Sequence, residues 1–171
     1  MSALEYEKLF QGIGYKNNGL FNYVLDRDPA KQEIIKEIAS KLHLPIYFSS
    51  PVKSMYGDKD FEDIDDYVFP PVEHWIKSFY DSDFVVTDSF HGTVFSLIFN
   101  KPFVAIINEE RGAARFRSLL DEVGLADRLV TDGKCFDDSL LRKPIDYENV
   151  NKKLDKLRRT SLGFLKNNLL S

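Results

Sequence analysis

Cysteine, histidine and tryptophan are scarce in this chain, with one Cys, three His and one Trp among 171 residues. The lone Cys135 excludes an internal disulfide, so nothing in the sequence asks for an oxidising compartment. His43, His74 and His91 lie far apart, and no His/Cys grouping has zinc-ligand spacing, so no metal is expected. Positive charge is not in excess either. Twenty-three Lys and Arg stand against 27 Asp and Glu, a net charge of −4, which is the wrong sign for a nucleic-acid binder that neutralises phosphates. The longest apolar stretch, Val94 to Ile107, is interrupted by Asn100, Lys101 and Pro102, so no segment is expected to span a membrane. Met1 to Tyr15 has no basic stretch followed by an apolar one, as a secretory leader requires. The expectation is a soluble cytoplasmic domain.

Apolar residues are plentiful. They make up 43% of the chain, with 14 Phe and 8 Tyr, enough for a continuous core and too many for disorder. Phe21 to Asp26 reads as a strand. Asp28-Pro29 is a helix start, with an N-cap and Pro at the first helical position. Ile34, Ile35, Ile38 and Leu42 then fall on one helical stripe within Ala30 to Leu42. Leu44 to Phe48 is a second strand, which completes a βαβ unit with parallel strands. Ser49 to Asp66 is an acidic loop, followed by a brief strand at Tyr67 to Phe69. Its run Asp58-Lys-Asp60-Phe-Glu62-Asp63 is no calcium loop, because the glycine and the closing acid are missing. Pro70-Pro71 opens a helix through Val72, Trp75, Ile76 and Phe79.

Further on, Phe84 to Asp88 is a buried strand, Val94 to Phe99 a buried helix and Pro102 to Ile107 another strand. Ala113 to Val123 is a helix, Arg128 to Thr131 a short strand, and Asn149 to Leu170 a long helix with Gly163 as a weak point. Six strands alternating with helices predict an α/β, doubly wound, mostly parallel sheet of Rossmann-like type, in the order 3-2-1-4-5-6. Residues 1–171 are expected to form a single domain, with a terminal helix from 146 to 171 packed on it. Gly12-Ile-Gly14 precedes the first strand, so it is a turn and not a dinucleotide fingerprint.

In that topology ligands bind in the crevice outside the carboxyl ends of the first and fourth strands. One end is Asp26-Arg27. The other is Thr87-Asp88-Ser89-Phe90-His91-Gly92-Thr93, which brings an acid, hydroxyls, an imidazole and a glycine to a helix start. Unpaired N–H groups and the helix dipole make such a start receptive to phosphate or carboxylate. Gly92 lets a ligand approach the backbone, and Ser89 or Thr93 offers a hydroxyl. The competing reading of Asp88 and Ser89 is a plain N-cap, worth roughly 1 kcal/mol. An imidazole gains nothing from the dipole there, so His91 asks for a functional reason.

At these residues the sequence resembles the polysaccharide pyruvyl transferase family. The likeness runs through Pro71-Val-Glu-His-Trp-Ile76, Asp83-Phe-Val-Val-Thr-Asp-Ser-Phe-His-Gly-Thr-Val-Phe-Ser96 and Asn100-Lys-Pro-Phe103. It continues in Arg115-Phe116-Arg117-Ser-Leu-Leu120 and Gly124-Leu125-Ala126-Asp127-Arg128. It covers residues 20 to 131 and corresponds to the family's carboxyl-terminal half. The resemblance implies one lobe of a glycosyltransferase B type fold. The implied activity transfers pyruvate from phosphoenolpyruvate to two sugar hydroxyls as a ketal, in surface-polysaccharide synthesis. The acceptor would be a saccharide or a lipid-linked saccharide. The chain is too short for both lobes, so an amino-terminal lobe that helps hold the acceptor is expected as a partner. Where some branches of the family carry Arg two residues before the histidine, this sequence has Ser89.

On that reading His91 moves protons, while Asp88, Ser89, Gly92 and Thr93 surround the substrate. Arg115 and Arg117 offset the donor's negative charge, and Glu110 orients His91. No cofactor is needed, because phosphoenolpyruvate is itself the donor substrate. Solvation of a helix face competes as the role of Arg117, and loop solvation as that of Glu110. Lys152, Lys153, Lys156, Arg158 and Arg159 make the terminal helix basic. That is either a solvated face or a peripheral membrane contact. Two other functions remain open at this level: a glycosyltransferase lobe that binds a nucleotide sugar, and a non-catalytic anion-binding module.

Overall fold

The computed structural model describes residues 2–26, 28–51, 67–107, 112–131 and 137–169. Its contacts divide the chain into two compact units, Met1–Ile106 and Ile107–Ser171.

In the first unit, helix α1 (Ala3–Glu7) and a 3-10 turn (Lys8–Phe10) precede strand β1 (Leu20–Tyr23). The chain continues through α2 (Pro29–Leu42), β2 (Ile46–Tyr47), α3 (Val72–Asp81), β3 (Phe84–Thr87), α4 (Phe90–Ile98) and β4 (Phe103–Ile107). The strands pair in parallel in the order β2-β1-β3-β4. Central β3 and neighbouring β4 are buried along their whole length, as continuous apolar runs in a parallel sheet should be. The doubly wound α/β fold expected from the sequence is therefore present.

One expected strand is not. Tyr67 to Phe69 form a turn and a bend running into Pro70-Pro71. Proline fixes its own φ and has no N–H for a ladder, so Pro70-Pro71 cannot carry a paired strand onward. Among the described residues the sheet accordingly starts at β2, and the order 3-2-1-4-5-6 loses its outermost member. Strand β1 also stops three residues earlier than expected, because Leu25 and Asp26 turn aside to meet Asp88. Helix α4 begins four residues earlier than its apolar run suggests, which puts His91 and Gly92 in its first turn.

Helix α2 starts where the sequence placed it. The Asp28 side chain accepts the Ala30 N–H at 2.9 Å, and Pro29 holds the first helical position. Its buried face comprises Ile34, Ile35, Ile38, Ala39 and also Lys31. The opposite side of the sheet is covered by an aromatic cluster. Phe21 of β1 meets Phe79 of α3 edge-on at 4.8 Å, Phe79 stacks on Phe95 of α4 at 5.4 Å, and Trp75 meets Phe95 at 5.1 Å. Pairs of this geometry contribute about 0.5–1.5 kcal/mol each beyond their buried area, and they fix α4 one turn below His91. The close approach of β1 to Pro45 needs Gly19, at φ +122°, where a Cβ would lie 2.3 Å from the Pro45 carbonyl oxygen.

The second unit holds α5 (Ala113–Val123), a 3-10 turn (Ala126–Arg128), β5 (Leu129–Thr131), α6 (Ser139–Arg142) and α7 (Tyr147–Leu169). Arg128 is almost fully buried, and its guanidinium donates to the carbonyls of Leu140 (3.0 Å) and Lys143 (2.6 Å). It fixes the segment leading into α7. Of α7 only Val150 is fully buried, while Leu162, Phe164, Leu165 and Leu169 are exposed. Among the described residues no helix is long and apolar enough to cross a membrane.

Candidate functional site

Strand order decides where a site belongs. From β1 the chain proceeds outward to β2, and from β3 it proceeds the other way to β4, so the direction reverses between β1 and β3. The crevice of a doubly wound sheet lies outside the carboxyl ends of such a pair. Tyr23 and Thr87, the last residues of the two strands, are register partners. The Thr87 hydroxyl locks them by donating to the Tyr23 carbonyl at 2.8 Å, and it accepts the Ser89 N–H at 3.0 Å.

Helix α4 starts at this edge. Ser89 is its N-cap residue, yet no side chain caps the helix. The first intrahelical bond is the Thr93 N–H on the Ser89 carbonyl, at 3.0 Å. Among the described residues the N–H groups of His91 and Gly92 donate to no protein acceptor. The His91 side chain is exposed. The edge therefore carries two N–H groups with no protein acceptor among the described residues, that of His91 and that of the buried Gly92, with the positive end of a helix dipole and an accessible imidazole.

The remaining residues singled out from the sequence have other partners. Asp88 does not cap α4. Its Oδ1 accepts the Leu25 N–H (2.7 Å), and its Oδ2 accepts the Asp26 N–H (3.1 Å) and the Lys31 ammonium (2.9 Å). The Thr93 hydroxyl is buried and donates to the Ser89 carbonyl at 3.2 Å. Ser89 is nearly buried and lies beside the Tyr23 phenol. Burial raises the pKa of that phenol, while Trp75 and Ser89 beside it act in the opposite direction. Gly92 is needed for packing first. A Cβ there would fall 2.2 Å from Thr87 Oγ1 and 3.0 Å from Tyr23 Cδ1. Arg115 and Arg117 are exposed on α5 of the second unit. Glu110 and Cys135 lie outside the described residues, as does the acidic run from 58 to 63.

Sequence reasoning missed Lys31. Its side chain is only 2% exposed, and its ammonium bridges Asp26 (2.7 Å) and Asp88 (2.9 Å). Burial works against its charge, but the bonds to the two carboxylates outweigh that and leave its pKa raised. A signal was available, since Lys31 stands three residues before Ile34 on the apolar stripe of α2. A charge on a buried stripe requires a partner.

No cluster of His, Cys, Asp and Glu suited to a metal ion occurs among the described residues. A cavity of about 180 Å³ occurs in the second unit, lined by residues including Asp127, Arg128, Lys143 and Asp146. The same Arg128 makes the carbonyl contacts that fix this segment.

Fold and edge together define a class: a doubly wound α/β protein of Rossmann-like type with a helix start and an imidazole at its switch point. The chain belongs to the polysaccharide pyruvyl transferase family, whose description matches residues 5–110. No curated protein and no solved structure matches it.

Proposed function

We propose that this chain provides the donor side of a pyruvyl transferase that converts phosphoenolpyruvate and two sugar hydroxyls into a cyclic ketal and inorganic phosphate, in surface-polysaccharide synthesis. The observation that carries this reading is the accessible His91 in the first turn of α4, beside unpaired N–H groups at the switch point.

The chemistry asks for little more. Two C–O bonds form at C2 of the donor, and the C2–O bond to phosphate breaks. One hydroxyl proton ends on C3, which becomes a methyl group, and the other departs with phosphate. His91 carries a proton between the attacking hydroxyl and C3. Its neutral imidazole accepts and its charged form donates, a role typically worth about 10²–10⁴-fold in rate. The His91 and Gly92 N–H groups hold the donor's phosphate or carboxylate, where the helix dipole favours negative charge.

The test is an amide NMR titration of the chain with phosphoenolpyruvate, with a nucleotide sugar and inorganic phosphate as controls. Shifts concentrated at Ser89 to Thr93, stronger with phosphoenolpyruvate than with phosphate, support the reading. A response there to the nucleotide sugar alone identifies a glycosyltransferase-like lobe instead. No response at these amides overturns the assignment of the donor to α4.

A further inference from the structure

The edge of the sheet carries two kinds of chemistry, and only one suits an anion. The α4 start is a donor of N–H groups. The end of β1 is a carboxylate. Asp26 follows the last residues of β1 and is 46% exposed at its side chain, while Lys31 and Asp88, which both hold it, are almost sealed, at 2% and 5%. Its backbone is fixed by its own N–H on Asp88 (3.1 Å) and by the neighbouring Leu25 N–H on the same carboxylate (2.7 Å). Its side chain is fixed by the Lys31 ammonium at 2.7 Å. An accessible carboxylate is thus held at a set position beside the strand that bears α4.

Such a group repels phosphate and carboxylate, and it accepts hydrogen bonds from hydroxyls. We propose that Asp26 is the acceptor-binding residue of this lobe, taking a sugar hydroxyl, and that Lys31 is a positioning residue for it. This rests on the pyruvyl transfer reading, and it divides the crevice into a hydroxyl side at the end of β1 and an anion side at the start of α4. Lys31 acts on Asp26 in two ways. It holds the Asp26 carboxylate directly, and through Asp88 it holds the backbone that carries Asp26. The Asp88 side chain, by contrast, is nearly sealed and engaged by three donors.

The experiment uses the whole chain and two probes, methyl β-D-galactopyranoside as a simple sugar with a 1,3-related hydroxyl pair, and phosphoenolpyruvate. In the wild type the glycoside should shift the Leu25 and Asp26 amides, and phosphoenolpyruvate those of His91 and Gly92. Asp26→Asn should weaken the glycoside response about 10-fold or more, the effect of removing a charged hydrogen-bond acceptor, and leave the phosphoenolpyruvate response within about 2-fold. Lys31→Arg should retain the glycoside response and Lys31→Met should lose it, which separates positioning from charge deletion at Asp26 itself. Glycoside shifts that are absent from Leu25 and Asp26 up to the solubility limit, or that persist unchanged in Asp26→Asn, overturn the proposal. Failure of phosphoenolpyruvate to move His91 and Gly92 overturns the donor reading instead, and the glycoside arm still decides Asp26.

Discussion

The carboxylate of Asp88 accepts the backbone N–H of Leu25 at 2.7 Å, joining the end of β3 to the end of β1 across 63 residues of sequence. That bond, with the Thr87 hydroxyl on the Tyr23 carbonyl, sets the geometry of the crevice before any ligand arrives. Asp88, expected beside the substrate, is the clamp on which the edge is built. Similar chemistry stabilises the opposite end of the sheet. There a buried Lys77–Asp81 pair (2.6 Å) lies below β3, and Asp81 accepts the Asn17 N–H at 2.9 Å. The two lysines differ in what they leave accessible: Asp81 is sealed, whereas Lys31 leaves Asp26 half in solvent.

Lys31→Met should destabilise the fold by about 3–5 kcal/mol, because it strands the buried Asp88 carboxylate without its countercharge. Lys31→Met combined with Asp88→Asn should recover part of the loss, since no unpaired charge is then buried. Urea unfolding of the four corners of this cycle measures both values. A Lys31→Met chain as stable as wild type would show that the pair contributes nothing.

Gly92→Ala should cost about 1–3 kcal/mol, the usual penalty for overpacking. The added Cβ would stand 2.2 Å from Thr87 Oγ1, so either α4 shifts outward or the Thr87–Tyr23 bond breaks. Chemical denaturation gives the stability, and the Tyr23 and Ser89 amide shifts report the bond. Unchanged stability would mean that the helix start has room the structure does not show.

His91→Gln should leave stability within about 0.5 kcal/mol, as expected for an exposed side chain whose ring contact is with the adjacent Phe90. In the same variant, phosphate release from phosphoenolpyruvate in the presence of acceptor should fall about 10²–10⁴-fold. Retained turnover with a folded chain removes His91 from the chemistry.

Alkaline unfolding should be steep. Burial raises the pKa of the Tyr47 and Tyr147 phenols, with Asp81 and Asp83 adding to the effect at Tyr47, and the two carboxylates raise that of Lys31. Each folded-state pKa is then above its unfolded value near 10, so the unfolded chain loses these protons first. Their stabilisation is complete below about pH 10 and disappears as pH rises through the folded values. The urea midpoint should be nearly flat from about pH 7 to 9 and fall above about pH 10, with a shallower fall in Tyr47→Phe. An equal fall in Tyr47→Phe would exclude the Tyr47 phenol as a source.

Much of the architecture was legible because its causes are local. The Ile34, Ile35, Ile38 stripe, the Asp28-Pro29 start and the apolar run of β3 each lie within a few residues, where backbone periodicity alone sorts inside from outside. The run from Asp83 to Ser96 was enough to indicate the family and to direct attention to His91. The brief strand expected at Tyr67 to Phe69 failed for a reason that was also local, the two prolines that follow it.

The sequence by itself determined the fold class and the alternation of strands β1 to β5 with helices α2 to α5 and α7. Tertiary structure alone decided which groups at the start of α4 are accessible and which are held inside. Asp88, Lys31 and Leu25 meet from positions 57 and 63 residues apart, and no local rule relates residues at that separation. A carboxylate takes whichever donors the folded backbone brings within about 3 Å. At this edge those donors are the end of β1 and a lysine from inside α2, so Asp88 is drawn inward and Asp26 is left exposed.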